Sequence, residues 1–229
     1  DAAFVKKLCE KRGVCCRIYP VDVPAYAKGH GLGVEEAARK LRYECFREAA
    51  EDYDGRPVKI ALAHHADDNA ETMLLNLLRG TGLRGLTGIP PVRGRIRRPL
   101  LGMTRAELAR YAEAHHVPHV EDATNEKDDM TRNLLRHRVM PVLRAANPRA
   151  VENMARTAAL LAADEAALHE AAEILLKKAD LVPGVSAALP VSALDSTPEA
   201  VRSRAVQIAI AAVAGREKDI GYLHVHSVL

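Results

Sequence analysis

The densest chemistry in the chain lies in one short run, His64-His65-Ala66-Asp67-Asp68-Asn69-Ala70-Glu71-Thr72. If a helix opens near Ala66, Asp68 and Glu71 stand three residues apart and share one face. His64, just ahead of that helix, can reach the same side. Two carboxylates and an imidazole can hold a hard divalent cation such as Mg²⁺. A cation there would neutralise phosphate charge during nucleotidyl transfer, a reaction driven mostly by positioning and electrostatics. A blander reading competes, because the helix dipole alone favours acids in a first turn. Asp67 fits that reading better. Asp68 and Glu71 fit the chemical one, since His64 converges with them.

Three further groups carry charge or unusual backbone freedom. Arg39 and Arg42 lie in Glu35-Glu36-Ala37-Ala38-Arg39-Lys40-Leu41-Arg42-Tyr43. A guanidinium there suits an α-phosphate, although Glu35 or Glu36 at helical spacing from Arg39 suits a solvated ion pair equally well. Arg79-Gly80-Thr81-Gly82-Leu83-Arg84-Gly85-Leu86 is a glycine-punctuated turn. Its amides and arginines suit an anion, while Gly80 also suits a helix cap. Finally, Asp122-Ala123-Thr124-Asn125 precedes Thr131-Arg132-Asn133-Leu134-Leu135-Arg136-His137. Arg132 and Arg136, four apart, would share a helix face that grips RNA or nucleotide phosphates, or is simply solvated.

The elements needed to position these groups alternate. Phe4, Val5, Leu8 and Cys9 have helical spacing closed by Gly13. Val14 to Val23 alternates and reads as a strand, with a loop over residues 24–33. Val34 to Asp54 reads as a long helix, Val58 to Ala63 as a strand buried in a parallel sheet, and Asp67 to Leu78 as the next helix. Thr104 with Glu107 fits a capping box opening a helix to His116. This order predicts an α/β fold: an open, mostly parallel sheet with flanking helices, followed by a smaller, mostly helical domain. Ligands of such sheets bind beyond the carboxyl ends of strands, where His64 to Thr72 falls. The character changes near Asn147-Pro148, with long helices predicted over 151–180 and 198–214 and a short strand at 187–191. Residues 1–147 are therefore expected to form a catalytic domain and 148–229 a helical one.

Composition is compatible with this and excludes little. Hydrophobic residues are 48% of the 229 and aromatics only 3%, so the core must rest on Ala, Leu and Val. A formal charge of +3 permits a nucleic-acid partner without requiring one. Cys9, Cys15, Cys16 and Cys45 form no C-x-x-C pair and are expected to be reduced thiols of a cytoplasmic protein. No apolar run approaches a membrane span. His115, His116 and His119 read as a surface turn.

Taken in order, His64 to Thr72 with Arg79 to Leu83, then Arg98-Pro99-Leu100-Leu101, then Glu121 to Asn125 with Thr131 to His137, resemble one family. It is the tRNA(Ile)-lysidine synthetase family of N-type ATP pyrophosphatases, the PP-loop enzymes, whose adenine nucleotide α-hydrolase-like fold agrees with the alternation above. The resemblance covers residues 1 to about 150 in register. It implies ATP-dependent ligation of lysine to C2 of the wobble cytidine in an isoleucine tRNA with a CAU anticodon. The reaction passes through an adenylated intermediate and yields lysidine, AMP and pyrophosphate.

By position, the resemblance implies that Asp68 and Glu71 serve Mg²⁺ and the reacting nucleotide, with His64 beside them and Arg42 on ATP or the adenylate. Arg79, Gly80, Gly82, Asn125, Arg132, Asn133 and Arg136 would bind substrate or nucleotide. The partners implied are the tRNA and L-lysine, with a homodimer as an expected assembly and no membrane. The family's S-G-G-x-D-S loop does not occur in the sequence. The chain is therefore expected to lack the phosphate-binding N-terminus and, as it stands, not to turn over ATP.

Two rival readings remain. A 2-thiocytidine synthetase of the same fold would want paired cysteines. A non-catalytic RNA-binding module would leave the His64, Asp68 and Glu71 grouping without purpose.

Overall fold

The computed structural model describes residues 2–51, 57–120, 131–215 and 220–229, with only the backbone of Tyr222 and Leu223. They form two compact units, Asp1–His65 with Pro90–Asn133, and Ala66–Ile89 with Leu134–Leu229.

In the first unit, α1 (Ala2–Arg12), α2 (Val23–His30) and α3 (Val34–Glu51) precede β1 (Ile60–Ala61). The strand expected over Val14 to Val23 is absent: residues 14–22 have no regular structure and α2 begins at Val23. The reason lies in signals that the alternation obscured. The Asp22 side chain caps α2, accepting from the Ala25 amide at 2.9 Å, and Pro24 occupies the first turn, where a missing N–H costs nothing. Gly31, at φ +62°, ends the helix.

The sheet is also smaller than expected. β1 pairs in parallel with β3 (Ile96–Arg97), which pairs antiparallel with β2 (Val92–Arg93). This three-stranded mixed ladder is the larger of the two sheets among the described residues, so an open parallel sheet is not what they form. β1 is half-buried at Ile60 and exposed at Ala61, not covered on both faces. Arg98, just beyond β3, is buried. Its Nη1 donates to the Pro90 carbonyl at 2.5 Å and its backbone N–H to Pro91, tying the end of the ladder to its entry. The predicted capping box is present on α6 (Arg105–Ala114). Thr104 Oγ1 accepts from the Glu107 amide at 3.2 Å, and the Thr104 amide donates to Glu107 Oε2 at 2.7 Å.

The second unit is helical. α4 (Ala66–Leu78) leads through α5 (Leu83–Leu86). A later helical run opens with α7 (Thr131–Leu134), whose first three residues belong to the first unit, and continues as a π-helical turn (Leu135–Val139) and α8 (Met140–Ala146). Pro141 explains the π turn: it has no N–H for the carbonyl four residues back, and the Met140 amide instead reaches Leu135. The long α9 (Ala150–Leu176) follows, then β4 (Asp180–Val182) paired with β5 (Ser186–Ala188), α10 (Val191–Asp195), α11 (Glu199–Ala214) and α12 (Tyr222–His226).

Two apolar clusters hold this unit. Ala66 and Ala70 of α4 pack with Met140 and Val151, and Ala172 and Leu175 of α9 pack with Ala193 and Ala205. Alanine at the contacts lets helix backbones approach closely, as the scarcity of aromatic residues required.

Candidate active site

α4 organises the site because its faces differ. Ala66 and Ala70 are almost fully buried in the core and fix the helix's rotation. That rotation turns Asp67, Asp68 and Glu71 to one side and Asn69, Met73 and Asn76 toward another. Asp67, Asn69 and Glu71 are themselves buried, so each requires partners.

The acidic side is met by arginines from the π turn and α8. Arg136 Nε donates to Glu71 Oε1 at 2.7 Å and its Nη2 to Glu71 Oε2 at 2.8 Å, a two-pronged fork onto a carboxylate only 2% exposed. The same Nη2 stands 3.5 Å from Asp68 Oδ1. Arg144 Nη2 donates to Asp67 Oδ1. The guanidinium of Arg136 is held above the usual arginine value, first by its hydrogen bonds to Glu71. Burial opposes this, while the charges of Glu71, Asp68 and Asp67 add to it.

Asp68, Glu71 and Arg136, all singled out in the sequence, are thus brought together. Asp67, read as a helix-dipole residue, proves to be the buried partner of Arg144, which the sequence reading did not select. No local signal ties residues 77 positions apart.

The other expected residues lie as follows. His64 is half-buried between β1 and the start of α4. Arg42 lies on α3 in the first unit and lines a cavity of about 580 Å³ with Arg17, Tyr19 and Phe46. Arg39 reaches Tyr43, its Nη2 3.3 Å from the hydroxyl and its guanidinium 5.1 Å from the ring centre. Arg132 and Asn133 are half-buried on α7. The π turn that follows departs from the α-helical spacing used to place Arg132 and Arg136 on one face. Asn125 lies outside the described residues.

Arg79, Gly80 and Gly82 open the turn after α4. Gly80, at φ +71° with its amide on the Leu77 carbonyl at 3.1 Å, does serve as a helix cap. Gly82 stands at the N-cap position of α5.

The acidic group has a limited capacity for a hard cation. Both Glu71 oxygens already accept from Arg136, so a cation there would have to displace the fork. Asp68 keeps a 15% exposed side chain. Among the described residues no group of three or more His, Cys, Asp or Glu stands close enough to hold a metal alone. Magnesium commonly needs just one or two carboxylates when substrate phosphates complete its shell, and Asp68 fits that pattern.

A PP-loop domain model matches residues 1–143, and the chain belongs to that family. The match begins at residue 1. This corrects the expectation that the chain enters the domain after its phosphate-binding part.

The chain is 37% identical over 219 residues to the tRNA(Ile)-lysidine synthase of Geobacillus kaustophilus strain HTA426, covering 94% of this chain and 47% of that protein. It is 38% identical over 230 residues to the protein of that name from Caldanaerobacter subterraneus subsp. tengcongensis, covering 100% and 49%. Against the Porphyromonas gingivalis W83 protein it is 45% identical over 162 residues, 69% of this chain and 34% of the relative. The chain thus spans about half the length of the first two relatives. Among the described residues no helix is long and apolar enough to cross a membrane.

Proposed function

We propose that this protein is a cytoplasmic tRNA(Ile)-lysidine synthase, joining L-lysine to C2 of the wobble cytidine of an isoleucine tRNA with a CAU anticodon at the expense of ATP. In the first step the cytidine is adenylated at C2 and pyrophosphate leaves. In the second, the side-chain amine of lysine attacks C2 and AMP leaves. The observation that carries the reading is the Asp68–Glu71–Arg136 group, set on α4 of a chain similar along its length to proteins of that name.

Roles follow from chemistry. Asp68 anchors Mg²⁺ carried in with the phosphates, and the metal supplies charge neutralisation at the α-phosphate when bound. Glu71, its oxygens engaged, holds Arg136 charged and aimed, so that the guanidinium can meet phosphate or adenylate oxygens. His64 lies at the head of α4, and Arg42 binds ATP or the adenylate from α3. Arg79 and the Gly80–Gly82 turn bind an anionic substrate through the Arg79 cation and the Gly82 amide, and Asn125, Arg132 and Asn133 are assigned to substrate binding. Catalysis is assigned to residues 1–147 and tRNA binding to the helical residues 148–229, a functional division that does not coincide with the two compact units.

The test is to incubate the protein with CAU-anticodon tRNA, ATP and labelled lysine. Label should enter the tRNA with one AMP released per lysine. Sulfur incorporation instead would favour the 2-thiocytidine reading. Binding of tRNA with no ATP consumption would leave an RNA-binding module.

A further inference from the structure

The second polar side of α4 has no role in the reading above, and its contacts converge on one place. Asn69 is 5% exposed, yet its Oδ1 accepts the Ile89 backbone N–H at 2.6 Å. Asn76, seven residues and two turns along on the same face, donates from Nδ2 to the Gly85 carbonyl at 2.8 Å. The chain leaves α4 at Arg79, runs through Gly80, Gly82 and α5, and returns to Asn69. Two carboxamides therefore staple the whole excursion, one at its middle and one at its end.

The fit at the return is close. Gly88 has φ +70°, and a Cβ there would fall 2.1 Å from Asn69 Oδ1 and 3.2 Å from Met73 Cγ. Only glycine admits that backbone against that side chain. A buried amide whose acceptor is removed keeps its desolvation cost, so the return is held at one register.

We infer that Asn69 is a positioning residue, fixing the segment Arg79–Ile89 so that Arg79 and the Gly82 backbone meet a substrate phosphate. The inference rests on the proposed function for its ligand. The phosphate belongs either to ATP or to the tRNA backbone, two sources of one chemistry.

The test compares the intact protein with Asn69→Leu, near-isosteric but without an acceptor, and Asn69→Gln, which keeps a carboxamide on a longer arm. Two readouts are taken: hydrogen exchange at the Ile89 amide, and kcat and KM with ATP and tRNA varied separately. Asn69→Leu should speed Ile89 exchange and raise one KM by roughly tenfold, the size of one lost buried hydrogen bond, with kcat held within about twofold. The KM that moves identifies the phosphate. Asn69→Gln should recover part of both effects.

Faster exchange with both KM values unchanged overturns the inference while leaving the proposed reaction standing. So does unchanged exchange, or a fall in kcat alone. If the wild-type protein makes no lysine-dependent AMP, the proposed reaction fails and the inference falls with it, an outcome separable from the others by the wild-type control.

Discussion

Arg136 and Glu71, 65 residues apart in sequence, meet through two hydrogen bonds of 2.7 and 2.8 Å, with the carboxylate almost wholly buried. A charge so placed depends on its partner, because removing one member leaves the other desolvated and uncompensated. Arg136→Met should therefore destabilise the protein by about 3–5 kcal/mol in urea unfolding. Arg136→Lys should recover part of that, since an ammonium restores the charge but not the fork. Equal stability of wild-type and Arg136→Met would show that the fork is not formed.

The same pair has a defined pH behaviour. The Arg136 pKa is raised in the folded state, first by its hydrogen bonds to Glu71. Its stabilising contribution is fully present below the unfolded arginine value and is lost only as pH rises through the higher folded one. The stability gap between wild-type and Arg136→Met should thus stay flat from about pH 7 to about pH 10, well below the arginine range. A gap that shrinks across that window would contradict the assignment.

Gly88 is predicted to be irreplaceable on two grounds, its φ of +70° and the 2.1 Å approach of a Cβ to Asn69 Oδ1. Gly88→Ala should cost about 2–4 kcal/mol, combining left-handed strain with overpacking. Thermal unfolding checks it. A loss below about 1 kcal/mol would mean that the return of the loop relaxes freely.

Arg204 of α11 donates from Nη2 to Glu165 of α9 at 2.5 Å and from Nη1 to Gln207 at 2.9 Å, with both charged side chains largely buried. Arg204→Leu alone should cost about 3–5 kcal/mol, whereas Glu165→Leu with Arg204→Leu should recover at least about 2 kcal/mol of it. Additive losses in the double variant would contradict a coupled buried pair.

Legibility of the sequence varied with the range of the forces involved. Elements set by local signals were readable: α6 from Thr104 and Glu107, α3 from its apolar periodicity and α9 from its run of Ala and Leu. Residues 14–22 misled because alternation of Val14, Cys16, Ile18 and Val21 describes a strand without supplying a neighbour to pair with. The Asp22–Pro24 helix start was present in the sequence and outweighed it.

At the site, Asp68, Glu71 and Arg136 were recognisable as chemical types, but their pairing was not. The expectation that Glu71 is a metal ligand rested on its spacing from Asp68, and a lone sequence does not show the arginine that forks onto both its oxygens. Arg144 and Asn69 carried no local signal at all. Their importance comes from the burial of Asp67 and Asn69, which only the packed α4 reveals.

Asp68 is proposed to serve the reacting nucleotide, and Asp68→Asn in the intact protein tests that role. The measurement is lysine- and tRNA-dependent AMP formation beside tRNA affinity. Turnover should fall by about two to three orders of magnitude, as for loss of one electrostatic group at a reacting centre. Affinity for tRNA should stay within about threefold, since backbone contacts elsewhere position it. Turnover within a few fold of wild-type, or equal loss of tRNA binding, would contradict it.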